Sequence, residues 1–82
     1  MLIVMEQKWI KTEVLLENLL NEPGEEQQYV HYLGPILRST HWLIYDQEKG
    51  LFGDSMDWDE YTWWTRDEFI EFYEGHWWLR EH

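Results

Sequence analysis

Four carboxylates crowd one short stretch of the chain: Asp54, Asp57, Asp59 and Glu60. Acids at this density can ligate calcium or form the paired carboxylates of a glycosidase. Read as a calcium loop, Asp57 and Asp59 fall at positions one and three and Glu68 at twelve. Position five is then Tyr61 and position six Thr62, where the loop needs an oxygen ligand and a glycine. The glycosidase pattern Asp-x-x-Asp-x-Asp-x-Glu fails at its last place, which holds Tyr61. That chemistry also needs a cleft inside a large barrel, and 82 residues cannot build one.

Other reactive groups fare no better. His31, His41, His76 and His82 form no pair at i, i+3 or i, i+4, so no ligand pair lies on one helical face. His31 and His41 fall in strand-like stretches and read as half-buried hydrogen-bonding residues. Ser39 and Ser55 are the two serines, and neither sits in a Gly-x-Ser-x-Gly elbow. There is no glycine-rich phosphate loop. The expectation is a non-catalytic protein with no catalytic residue, metal or cofactor.

What remains to act is charge and aromatic surface. The chain has 82 residues, enough for one domain, with 17 Asp and Glu against 6 Lys and Arg, a net charge of −11. Such a chain repels nucleic acid and anionic lipid and is drawn to basic surfaces. Seven Trp, five Tyr and three Phe argue against acidic disorder. Each buried aromatic removes roughly 150–250 Å² from water, so these rings can support a core that a small domain otherwise struggles to make. Cysteine is absent, which excludes disulfides and thiolate zinc sites. The opening Met-Leu-Ile-Val-Met is too short, and lacks the preceding bases, for a secretory signal. No stretch approaches the ~20 apolar residues of a membrane span. The expected setting is cytoplasmic, without membrane contact.

The elements that must position these groups read as α+β. A helix ending near Asn21 carries Met5, Trp9, Thr12, Leu15, Leu16, Leu19 and Leu20 on one broad face. Alternatively, Leu2 to Met5 form a short strand and Thr12 caps a shorter helix. Asn21-Glu22-Pro23-Gly24 ends it either way. Tyr29–Leu33 and His41–Tyr45 read as strands, and Gln47–Gly50 as a hairpin loop with Leu51-Phe52 returning. That gives an antiparallel meander of about three strands, with a further strand possible at Tyr61–Trp64. Thr65 and Glu68 form a capping box, with Trp64 and Phe69 as a hydrophobic staple. The helix that follows places Phe69, Ile70, Phe72 and Tyr73 on one side and Asp67, Glu68, Glu71 and Glu74 on the other. Gly75 is its stop, and His76–Leu79 packs back as a turn or short helix. The expected architecture is an N-terminal helix, the meander and a C-terminal helix packed on the sheet.

The acids are uneven. Asp54, Asp57, Asp59, Glu60, Asp67, Glu68, Glu71 and Glu74 face one base, Arg66, over this stretch. Trp58 sits among them and Trp63 adjoins, while Trp9, Trp42 and Trp64 suit a core. An aromatic ringed by acids has the composition of a hot spot and of a cation–π site. These eight acids with Trp58 and Trp63 form the expected partner-binding face. Its target is the basic surface of a nucleic-acid-binding protein, with no direct contact to nucleic acid. In size, acidity and want of chemistry the chain is similar to the small acidic inhibitors of phages and mobile elements, DNA mimics and anti-CRISPR proteins. That resemblance is one of class and assigns no residue. Two other readings stand beside it: a sugar- or peptide-binding module using exposed Trp and Tyr, and a homodimeric assembly subunit.

Overall fold

The computed structural model describes residues 9–32, 38–56 and 60–81. In chain order these form β1 (Ile10–Lys11), α1 (Thr12–Asn21), β2 (Gln27–Tyr32), β3 (Arg38–Asp46), β4 (Leu51–Ser55), β5 (Thr62–Trp64), α2 (Arg66–Phe72) and β6 (Trp77–Glu81). The strands make one sheet in the order β1-β6-β2-β3-β4-β5, every pairing antiparallel. The α+β reading is right only in that broad sense. The three-strand meander is overturned by a six-stranded sheet with two short helices. The largest correction is His76–Leu79, expected as a turn or short helix. Trp77 to Glu81 instead enters the sheet between β1 and β2, with His31 opposite Trp78 and Val30 opposite Leu79. Its alternation supports this: Trp77 is 40 % exposed and Trp78 fully buried.

The N-terminal helix also begins later than a continuous face from Met5 requires. Residues 1–8 lie outside the described residues, Trp9 precedes the helix, and Ile10–Lys11 pairs with β6. Thr12 does not cap. It donates from Oγ1 to the Tyr73 carbonyl (2.9 Å) and accepts from the Trp78 indole N–H (3.0 Å). One buried hydroxyl thus ties the start of α1 to the turn after α2 and to β6. Gly24, at φ +81°, turns the chain after α1 and donates its N–H to the Tyr45 carbonyl of β3 (2.9 Å).

Alternation along the paired strands fixes two unlike faces. Tyr29, His31, His41, Leu43, Phe52, Asp54 and Trp78 share the face that the helices cover. Leu15, Leu16 and Leu19 of α1 and Phe69 of α2 close over it with no solvent exposure. Burial of each such side chain contributes roughly 1.5–3 kcal/mol. The tryptophan at the centre of this core is Trp78, whereas Trp9, Trp42 and Trp64 are only partly buried. No described helix is long and apolar enough to cross a membrane.

Candidate functional site

Helix α2 starts as the sequence dictates. Thr65 accepts at Oγ1 from the Glu68 N–H (3.2 Å), and Glu68 Oε1 accepts from the Thr65 N–H (2.9 Å). The backbone bond, then the bond to the Thr65 side chain, holds the Glu68 carboxyl below its ordinary range. Asp67, Glu68, Glu71 and Glu74 are all exposed. Phe72 is the correction on this helix. It was expected in the core with Phe69 and Tyr73, yet it is 60 % exposed. The helix ends at Phe72; Phe69 and Tyr73 belong to the buried cluster, and half-buried Ile70 packs against it. Phe72 lies against Trp64 instead, with ring centroids 4.9 Å apart. Together with Glu68 and Glu71 these rings line an open groove of about 450 Å³. The result is an aromatic floor between two carboxylates.

The remaining residues of the expected face are dispersed. Asp57, Trp58 and Asp59 lie outside the described residues. Glu60 is exposed, next to the start of β5. Trp63 pairs with Gly53 on the sheet face opposite Trp64, and its ring already carries Lys49, whose Nζ is 3.9 Å from the centroid. Asp54 is only 7 % exposed and points to the helix-covered face, so it cannot belong to a solvated acidic surface.

Asp54 belongs to a second constellation, which motif spacing did not reveal. Its Oδ1 lies 2.6 Å from His41 Nδ1, and its Oδ2 accepts from the Tyr73 hydroxyl. His41 Nε2 is 2.9 Å from Ser39 Oγ, which is 3.4 Å from His31 Nδ1. His31 Nε2 in turn contacts His76 Nδ1. The His31 ring stacks on Trp78, at 4.4 Å between centroids, and on His76, at 4.7 Å. His41 is 2 % exposed, while Ser39, His31 and His76 are partly exposed.

Proton counting orders this chain of contacts. An ionised Asp54 only accepts, so His41 Nδ1 and the Tyr73 hydroxyl must donate to it. Nε2 of a neutral His41 is then an acceptor, and Ser39 donates its O–H there. The free lone pair of Ser39 accepts from His31 Nδ1–H, and His31 Nε2 accepts from His76 Nδ1–H. With Asp54 ionised and His41 neutral, all three imidazoles carry their proton on Nδ1, an assignment made from their hydrogen-bond partners. Desolvation, then the neighbouring His41 and His76, pushes His31 down to about 4, and burial lowers His76. Burial, then the bond to Asp54, raises the Tyr73 hydroxyl. Among the described residues no three His, Cys, Asp or Glu side chains are grouped so as to hold a metal ion.

The two constellations adjoin, since Phe72 lines the groove and its neighbour Tyr73, with ring centroids 4.8 Å apart, anchors the network. Together they define a small acidic α+β protein with an aromatic groove and a buried polar relay. No protein-family model, curated protein or solved structure matches the chain.

Proposed function

We propose that this protein docks through the α2 groove onto the basic surface of a nucleic-acid-binding protein and inhibits or modulates it. The carrying observation is exposed Phe72 lying on half-buried Trp64, with Glu68 and Glu71 lining the same groove. A guanidinium over an aromatic face gains cation–π attraction. The same planar fork donates two parallel hydrogen bonds to a carboxylate. A groove offering both suits an arginine side chain. The net charge of −11 supplies the long-range attraction that steers such encounters. Helix α2 spans about 10 Å at 1.5 Å per residue, over which one DNA strand carries about three phosphates. Asp67, Glu68 and Glu71 on α2, with Glu74 just beyond, approximate one such strand.

The test is capture of the partner at low and high salt, followed by titration against variants. Replacing Glu68, Glu71 and Glu74 together by Gln retains helix propensity and removes three charges. Phe72→Ala removes the aromatic floor. A basic partner whose affinity falls with salt and with both variants, and whose nucleic acid is displaced, supports the reading. A non-basic partner, or unchanged affinity for the triple variant, sinks it. The sugar-platform reading fares less well because the Trp63 face is occupied by Lys49.

A further inference from the structure

We infer that Ser39 is an activated nucleophile that accepts an acyl group from a small ester, with His41 as its general base and Asp54 as the positioning residue. The geometry is that of a Ser–His–Asp relay. Ser39 Oγ is 2.9 Å from His41 Nε2, and His41 Nδ1 is 2.6 Å from Asp54 Oδ1. The nitrogens are used in the productive sense: Nδ1 faces the carboxylate and Nε2 faces the hydroxyl. Burial is graded in the same sense, with His41 and Asp54 at 2 % and 7 % exposure and Ser39 partly open to solvent. The sheet builds this without an elbow motif. Ser39 and His41 are two apart on β3 and share a face. Asp54 stands opposite Leu43 on β4, diagonal to His41.

The Tyr73 hydroxyl occupies the second oxygen of Asp54, so the carboxylate is fixed in orientation before any substrate arrives. His31 completes the surroundings. Its Nδ1 lies 3.4 Å from Ser39 Oγ, so its ring orients the hydroxyl that His41 activates. This inference does not rest on the docking reading, because it uses the helix-covered face of the sheet and none of the groove residues.

With p-nitrophenyl acetate the steps balance as follows. Ser39 Oγ forms a bond to the acetyl carbon while its proton passes to His41 Nε2. The bond from that carbon to the phenolic oxygen then breaks, and that oxygen keeps the electron pair, takes the proton from His41 and leaves as p-nitrophenol. Water attacks the acetyl-Ser39 carbon, again giving a proton to His41. Acetic acid leaves as that proton returns to Ser39 Oγ, and it ionises to acetate in the solvent. No oxidant, reductant or metal enters.

The experiment uses the whole folded chain with p-nitrophenyl acetate, acid quenching and mass mapping of the acetylated peptide. The expected result is one acetyl group on Ser39, released with time, and absent in Ser39→Ala. General-base assistance contributes about a hundredfold or more, so Asp54→Asn should slow acetylation by at least that factor. A purely structural network would not produce the accompanying pH signature. Wild type should reach a plateau as one imidazole loses its proton, and Asp54→Asn should lose that plateau. Acetylation on lysine or tyrosine only, or equal rates in wild type and a folded Asp54→Asn variant, overturns the inference. If that variant does not fold, wild type in concentrated urea decides. Loss of Ser39 acetylation on unfolding supports the relay, and equal acetylation in both states overturns it.

Discussion

His41 Nδ1 sits 2.6 Å from Asp54 Oδ1, and neither side chain has appreciable contact with water. Removing Asp54 leaves the His41 Nδ1–H and the Tyr73 hydroxyl buried without an acceptor, at a cost of about 1–3 kcal/mol each. Asp54→Ala should therefore destabilise the fold by that order in urea denaturation. Glu60→Ala, at an exposed acid of the same stretch, should change stability by less than about 0.5 kcal/mol. Equal effects would return Asp54 to the surface.

The rotation of α2 gives a second contrast. Phe69 is fully buried and Phe72 is 60 % exposed. Phe69→Ala should cost about 3–5 kcal/mol, and Phe72→Ala less than about 1 kcal/mol. Thr65→Ala, which removes the cap, should cost about 0.5–2 kcal/mol. Thermal unfolding of the three variants checks the order Phe69, Thr65, Phe72.

Much of α2 was legible in the sequence because its signals are local. Thr65 and Glu68 specify the start through contacts within a few residues, whereas the stop falls at Phe72 with Tyr73 as the C-cap, two residues before the expected Gly75. Phe72 was misread because it stands at the edge of the apolar arc centred on Phe69 and Tyr73, where it lies on Trp64 and open to solvent. Strand β6 was illegible for a different reason. Nothing near Trp77 and Trp78 states that β2 has a free edge, and the pairing joins His31 to Trp78, 47 positions further along the chain. Asp54 illustrates the same limit. Its sequence neighbours are acids and suggest solvent, while its spatial neighbours, His41 and Tyr73, make it a buried acceptor. Ser39-x-His41 was a visible alternation, but only β4 could supply the third member.

Gly53 is required by close approach on the other face of the sheet. A Cβ there would stand 2.8 Å from Tyr61 Cδ1 and 3.0 Å from both Ile44 Cγ2 and Trp63 Cζ3. Gly53→Ala should destabilise by about 1–3 kcal/mol. Tryptophan fluorescence should shift as Trp63 is displaced. An unaltered melting temperature and spectrum would contradict this packing.

Acid should loosen the fold before the carboxylates titrate. Desolvation, aided by His41 and His76, holds His31 at about 4 against an ordinary 6.5, and His76 is lowered in the same direction. Between those values the unfolded chain binds the proton that folded His31 refuses, so stability rises with pH. The contribution is complete above pH 6.5 and is lost as pH falls toward 4. For His31 it is on the order of 2 kcal/mol once its partial solvent contact is discounted. Urea denaturation at pH 7 and pH 5 should show the loss, and His31→Gln should flatten it. A pH-independent midpoint in the wild type would contradict the burial of His31.

The docking account is tested most directly by a nuclear magnetic resonance titration with a short arginine-rich peptide at low salt. The Trp64 indole N–H has no hydrogen-bond partner among the described residues, which makes it a sensitive reporter beside Phe72. The account predicts that this signal and the amides of Glu68, Glu71 and Phe72 shift first and saturate together. In the variant with Gln at positions 68, 71 and 74 the same shifts should vanish while the fold persists. Equal small shifts at exposed acids remote from the groove, such as Glu13, Glu17 and Glu48, with Trp64 unmoved, would contradict it.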